Sequence, residues 1–267
     1  MIEQKIYTGF DEMILRVRVK SEVAQDIFIV VKDSERQNTV LLDRFAPVGP
    51  GEHYDFLVPL PQCRRYVTLQ LMDQNGGDTF EYIGFSKEPL IKRLDIIDFK
   101  TYHLQEFVSF IKKFCYNCGE LRTNDAKNDQ DYYKSREINP HFFIKYLDVI
   151  TDHKTGVPLP TPAHINLGAP LIEVSKKYFK DYTVPGRVAI LLHEYCHPYA
   201  NTNPNDESEA DLNGLIIYLG LGYPKWEAQQ VWLQIFSNTD TVQNENREKM
   251  IHNFIEDFDN MQMIMNQ

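Results

Sequence analysis

Cysteine is scarce in this chain. Four cysteines in 267 residues are too few for the disulfide framework that staples small secreted domains. Long hydrophobic runs are missing as well. No stretch approaches the roughly 18 apolar residues that a membrane-spanning helix needs. The opening Met-Ile-Glu-Gln-Lys-Ile-Tyr has neither the basic start nor the apolar core of a secretory signal. Positive charge is in deficit, with 28 Lys and Arg against 38 Asp and Glu and a net charge of −10. That balance argues against binding nucleic acid through bulk charge, because counterion release needs a basic face. No internal repeat or low-complexity tract is present. The expectation is a soluble protein of the cytoplasm or another reducing compartment, without a membrane or nucleic-acid partner.

What is there suffices for a packed core: 43% of residues are hydrophobic and 12% aromatic, ordinary values for a globular protein. At about 150 residues per domain the length fits one large domain or two modest ones. In Leu15-Arg16-Val17-Arg18-Val19-Lys20 apolar and basic residues alternate, the pattern of a half-buried strand. Similar runs follow at 27–31, 40–43, 54–58, 66–71 and 80–83. Turn chemistry such as Pro47-Val48-Gly49-Pro50-Gly51 and Asn75-Gly76-Gly77-Asp78 separates them. About six short strands so spaced predict an antiparallel β-sandwich over residues 1–95. It carries no catalytic constellation and reads as a docking or structural module.

The texture changes near residues 92–100, where the domain boundary is expected. Leu104, Phe107, Val108, Ile111 and Phe114 recur at helical spacing across 101–116. A polar stretch, 122–133, reads as a loop. Strand-like runs at 142–150 and 165–174 flank a connector containing Pro158, Pro160 and Pro162. Helices are expected at 184–197, 207–219, 225–236 and 244–258. The fold class is therefore α+β: the sandwich, then a compact α+β domain over 96–267.

One segment carries chemistry: Leu191-Leu192-His193-Glu194-Tyr195-Cys196-His197. Two histidines at i and i+4 share a helix face and can reach one ion. Glu194, beside the first, then stands where a general base for a metal-activated water belongs. Two ordinary surface histidines are the alternative to this reading, but the flanks favour a metal: Val188, Ala189, Leu191 and Leu192 make an apolar helix face. Nine residues past His197 comes Asp206-Glu207-Ser208-Glu209-Ala210-Asp211. Glu207 and Asp211 share a helix face, whereas Glu209 is turned away by about 200°. Glu207 is thus the third ligand, and Asp211 is placed to accept the outer N–H of a metal-bound histidine.

His193-Glu194-Tyr195-Cys196-His197 with Glu207-Ser208-Glu209-Ala210-Asp211 resembles the HExxH plus ExxAD pattern of gluzincin-type zinc metallopeptidases. The run 191–221 is also similar to small zincin domains of tailed-phage (crAss-like) proteins. The resemblance implies a zincin-like domain with zinc as cofactor, His193, His197 and Glu207 as ligands, Glu194 as base and Asp211 orienting a histidine. It also implies that the 165–174 segment lines a substrate cleft. The extended metzincin motif is excluded, because Ala200 and Asn203 stand where it needs Gly and His.

Pro198 departs from the family pattern. Lacking an N–H, it predicts that the metal helix stops within a residue or two of His197. The Asn201-Thr202-Asn203-Pro204-Asn205 turn must then bring Glu207 back at once, so Pro198→Ala is expected to misplace Glu207. A compact site and a degenerate one both fit that interval. Other candidates are Cys115-Tyr116-Asn117-Cys118, a CxxC without a second pair; Cys196, expected to point away from the metal; and Tyr218 or Tyr223 as an oxyanion-steadying phenol. Three functions remain open: a zinc peptidase acting on protein or peptide substrates, an assembly protein such as a virion ring or connector subunit whose sandwich binds neighbouring subunits, and a metal-free binding module.

Overall fold

Along Met13–Lys20 every second side chain is buried: Met13, Leu15, Val17 and Val19 turn inward while Arg16 and Arg18 face water. The N-terminal strands are β1 (Ile2–Tyr7), β2 (Met13–Lys20), β3 (Gln25–Asp33), β4 (Arg36–Val48), β5 (His53–Leu60), β6 (Tyr66–Asp73) and β7 (Glu81–Pro89), and the same period-two burial recurs along β3, the second half of β5 and β6. The computed structural model describes residues 1–61, 65–90, 102–117, 131–136, 139–167, 171–237 and 241–265. The strands form two antiparallel sheets, ordered β1-β6-β3-β4 and β5-β2-β7. They pack together with Leu15, Val17, Ile27, Ile29, Phe56, Val58 and Leu69 in the core. At the expected turn after β6, Gly76 takes φ +78°, a conformation that glycine adopts without strain. The Asp73 carboxylate there accepts the N–H groups of Asn75 and Gly77, each at 2.8 Å.

The remaining elements are α1 (Tyr102–Asn117), β8 (Asp131–Lys134), β9 (Phe143–Leu147), β10 (Ala163–Asn166), β11 (Leu171–Ser175), α2 (Lys176–Phe179), α3 (Val184–Tyr199), α4 (Glu207–Gly220), α5 (Lys225–Phe236) and α6 (Val242–Met265). The small mixed sheet runs β10-β11-β9-β8, with only β11 and β9 parallel. Among the described residues no strand of β1–β7 joins it. The architecture is mixed α+β, antiparallel sheets followed by a helical region with a small mixed sheet. Contacts divide the chain into two units. The first is Met1–Arg93 with Thr183–Pro185 and Leu221–Glu227; the second is Leu94–Tyr182, Gly186–Gly220 and Ala228–Gln267. The expected boundary at 92–100 lies outside the described residues.

Several elements differ from the sequence reading. β1 adds a seventh strand. The end of the polar stretch expected as a loop, 131–133, belongs to β8, which pairs with β9 through Tyr133↔Ile144; residues 122–130 lie outside the described residues. The run 165–174 yields two antiparallel strands, because Gly168 and Pro170 interrupt it in sequence. Within the second unit buried Arg187 donates to the carbonyls of Cys115 at 3.0 Å, Phe179 at 3.3 Å and Lys180 at 2.7 Å. It thereby satisfies the carbonyl-rich ends of α1 and α2. No helix among the described residues is long and apolar enough to cross a membrane.

Candidate metal centre

Helix α3 sets His193 and His197 one turn apart, with their Nε2 atoms 3.1 Å from each other. From the first residue of α4, Glu207 brings Oε2 to 3.4 Å from His193 Nε2 and Oε1 to 3.7 Å from His197 Nε2. A tetrahedral ion with bonds of about 2.1 Å has ligand–ligand edges of about 3.4 Å. The three observed separations bracket that value, and the group could hold a metal ion.

Each ring is turned by a partner behind it. His197 Nδ1–H donates 2.9 Å to the carbonyl of Pro204, which leaves its Nε2 lone pair facing the gap. His193 Nδ1 lies 2.9 Å from Asp211 Oδ1. This buried Nδ1 makes an ion-pair contact there and no hydrogen bond among the described residues. Asp211 is fully buried. Its Oδ1 accepts from Trp232 Nε1 at 2.8 Å and Arg247 Nη2 at 3.0 Å, and its Oδ2 from Arg247 Nε at 2.6 Å. Arg247 Nη2 also reaches Glu207 Oε2 at 3.2 Å.

The electrostatics follow. Burial opposes charge on His193, but the close carboxylates of Asp211 and Glu207 outweigh it and lift the imidazolium's pKa to about 10. His193 in turn holds the Glu207 carboxyl below its usual value. Burial pushes Asp211 upward, yet His193 and Arg247 together bring it below the usual range. Surplus negative charge thus surrounds two imidazole nitrogens, a donor set that suits a divalent cation.

Glu194 is buried beside the histidines. Its Oε2 accepts the Ile165 N–H of β10 at 2.8 Å. A cavity of about 290 Å³ opens over the centre; Glu194, the three ligand residues and β10 line it, and Trp232 and Phe236 contribute an apolar wall. Glu209 faces elsewhere, as its helix position implies: it accepts the N–H groups of Thr202 at 2.7 Å and Asn203 at 3.1 Å. Asp206 caps α4, accepting the Glu209 N–H at 3.0 Å.

Helix α3 ends at Tyr199, two residues past His197, and carries Pro198 in its last turn. Cys115 and Cys196 are fully buried; Cys118 lies outside the described residues, so the CxxC is not described as a pair. Tyr218 and Tyr223 are buried, and the residues lining the cavity include neither.

Four contributors escaped the sequence reading. Trp232 and Arg247 stand on the helices expected at 225–236 and 244–258, for which the sequence indicated no role at the site. The Ile165 N–H is a backbone group and leaves no mark in a motif. Gly214, a lone glycine inside a helical pattern, did offer a signal: a Cβ there would stand 3.0 Å from His193 N and 3.1 Å from His193 Cα. Its absence lets α4 approach α3 closely at the ligand itself. Compared with protein-family models, curated proteins and solved structures, the chain matches none of them.

Proposed function

We propose that this chain is a zinc-dependent hydrolase of peptide bonds, as its resemblance to gluzincin-type metallopeptidases implies. The observation that carries the reading is the His193–His197–Glu207 triangle at tetrahedral edge lengths with a buried carboxylate, Glu194, beside it. Two imidazoles and one carboxylate are a donor set of catalytic zinc sites, with the fourth position left open. Zinc, when bound, polarises a carbonyl and lowers the pKa of a coordinated water toward 7.

The chain's own groups supply the rest. His193, His197 and Glu207 would hold the ion, with Asp211 and the Pro204 carbonyl setting the two rings. Glu194 takes the proton of the attacking water and returns it to the leaving amine. Strand β10 lies at the edge of its sheet and lines the cavity, an arrangement in which an extended peptide adds as a further strand. The apolar wall around Trp232 and Phe236 keeps bulk water from the reacting groups.

The test combines metal analysis with turnover of casein and a fluorogenic peptide library. Purified protein is expected to carry one zinc per chain and to cleave. Glu194→Gln should keep the zinc and lose turnover by at least about a hundredfold. Wild-type protein with zinc but no turnover returns the chain to the assembly reading, and protein that binds no zinc sinks both.

A further inference from the structure

Ile165 occupies an unusual place for a backbone amide. It sits on the edge strand β10 and pairs across the ladder with Ile172 of β11. In an antiparallel pair the N–H and C=O of one residue point to the same side, either into the ladder or away from it. The Ile165 N–H donates 2.8 Å to Glu194 Oε2, so it points away from β11 and toward the cavity. The strand that borders the cleft therefore holds the carboxylate next to the metal triangle.

A glutamate side chain has three rotatable bonds, and burial removes the water that would otherwise solvate it. Glu194 is 8% exposed, and the amide of Ile165 is its one hydrogen-bond partner among the described residues. With Oε2 engaged there, Oε1 remains, among the described residues, as the carboxylate's free acceptor, and Glu194 lines the cavity. We propose that the Ile165 peptide N–H is the positioning group of the proposed base. It clamps one carboxylate oxygen so that the other is presented to the reacting atoms, and it ties that presentation to the seating of β10. This rests on the reading of Glu194 as base. Substrate that docks along β10 then firms the strand whose amide aims the base, coupling binding to the chemical step.

Two measurements test it. The first needs no turnover: amide hydrogen exchange at Ile165, followed by NMR in the zinc-loaded protein. Ala163, two residues earlier, faces the same side of the strand but donates to no carboxylate among the described residues. Ile165 is expected to exchange at least about tenfold more slowly than Ala163. Glu194→Ala should abolish the difference, and Glu194→Gln, whose amide oxygen can still accept, should keep it. The second replaces the residue 164–165 peptide bond by an ester, using the α-hydroxy analogue of isoleucine, with a matching ester at 163 as control. Ile165→Pro deletes the same N–H by ordinary mutagenesis, at an edge position where proline disturbs no ladder bond. The 165 ester is expected to lower kcat about 10- to 100-fold with zinc content unchanged; the 163 ester, which removes a donor from the same strand edge but none from Glu194, is expected to keep kcat and zinc content, any cost falling on KM. Protection at Ile165 that survives Glu194→Ala overturns the anchor, and an ester at 165 with undiminished kcat overturns its role. Wild-type protein that holds zinc and cleaves nothing overturns the hydrolase reading instead. The exchange measurement tells that failure apart from failure of the anchor.

Discussion

Gly214 shows how a single missing atom lets two helices meet at the candidate metal centre. Ordinary helix propensity favours Ala over Gly by up to about 1 kcal/mol, so Gly214→Ala in isolation should stabilise α4. Here the added Cβ would meet the backbone of His193 at 3.0–3.1 Å, and backbone cannot swing aside as a flexible side chain would. The expected outcome is a lower melting temperature and zinc affinity reduced by about tenfold or more, read by competition with a chromophoric chelator. A variant that melts higher and binds zinc as before would show that the close approach is incidental. The same scale explains what could be read from the sequence. His193, His197 and Glu207 were legible because helix geometry converts their spacing directly into shared faces. Asp211 was legible for the same reason, as the residue one turn beyond Glu207. Arg247 and Trp232 were not. They reach Asp211 from helices farther along the chain, and only tertiary placement turns an arginine in an amphipathic helix into the clamp on a buried carboxylate. The Ile165 amide is invisible to any reading of side chains.

Elements show where local rules hold and where partners override them. Helices α1, α3, α4 and α5 fall within two residues of their expected bounds, whereas α6 runs seven residues past its expected end at 258 and α2 was not expected. Strand β8, Asp-Tyr-Tyr-Lys, lies in a polar stretch and owes its extended form to pairing with β9. The end of α3 was expected from Pro198, and it falls at Tyr199. What fixes it is more than the proline, however. Beyond Pro198 the amides of Ala200 and Asn201 both return to the Cys196 carbonyl, at 3.0 and 2.8 Å. The Glu209 carboxylate then gathers the amides of Thr202 and Asn203, and the Asn201 side chain donates 2.9 Å to the Asp206 carbonyl. This turn contains Pro204, whose carbonyl orients His197. The geometry thus moves the weight from Pro198 to Glu209. Pro198→Ala is expected to preserve the helix end and zinc affinity while stabilising by less than the roughly 3 kcal/mol of a helix-interior proline. Glu209→Ala, which touches no ligand, should weaken zinc about tenfold through the loosened turn. Circular dichroism and chelator competition on the two variants decide it. A longer helix with lost zinc in Pro198→Ala, beside an unaffected Glu209→Ala, would restore the proline to the controlling role.

At the scale of the whole molecule, sequence order and spatial grouping part company, since Thr183–Pro185 and Leu221–Glu227 belong with the first unit. Glu227 is the buried tie within that group. Its Oε1 accepts the Asp43 N–H of β4 at 3.0 Å, and its Oε2 accepts the Thr183 hydroxyl. It is 2% exposed, and burial pushes its carboxyl up to about 7 against those two hydrogen bonds. A carboxyl whose folded pKa exceeds its unfolded one binds its proton more tightly in the folded state. Its contribution to stability is therefore fully present below the ordinary pKa of about 4.5 and is lost as pH rises through 7. The full difference corresponds to about 3 kcal/mol. Burial also raises the neighbouring Asp43 carboxyl. Unfolding by urea at several pH values from 4.5 to 8, in excess zinc, should show wild type losing stability relative to Glu227→Gln across that range. Glu227→Gln cannot ionise, so its curve is expected to be flatter by up to about 3 kcal/mol, with the variant gaining on wild type as pH rises. The difference between the two curves reports Glu227 together with its coupling to the neighbouring Asp43 carboxyl, because zinc binding is shared. Parallel curves would mean that Glu227 is solvated in the folded chain and ionises at its ordinary pH, and the tie between β4 and Thr183 would then be one that water can replace.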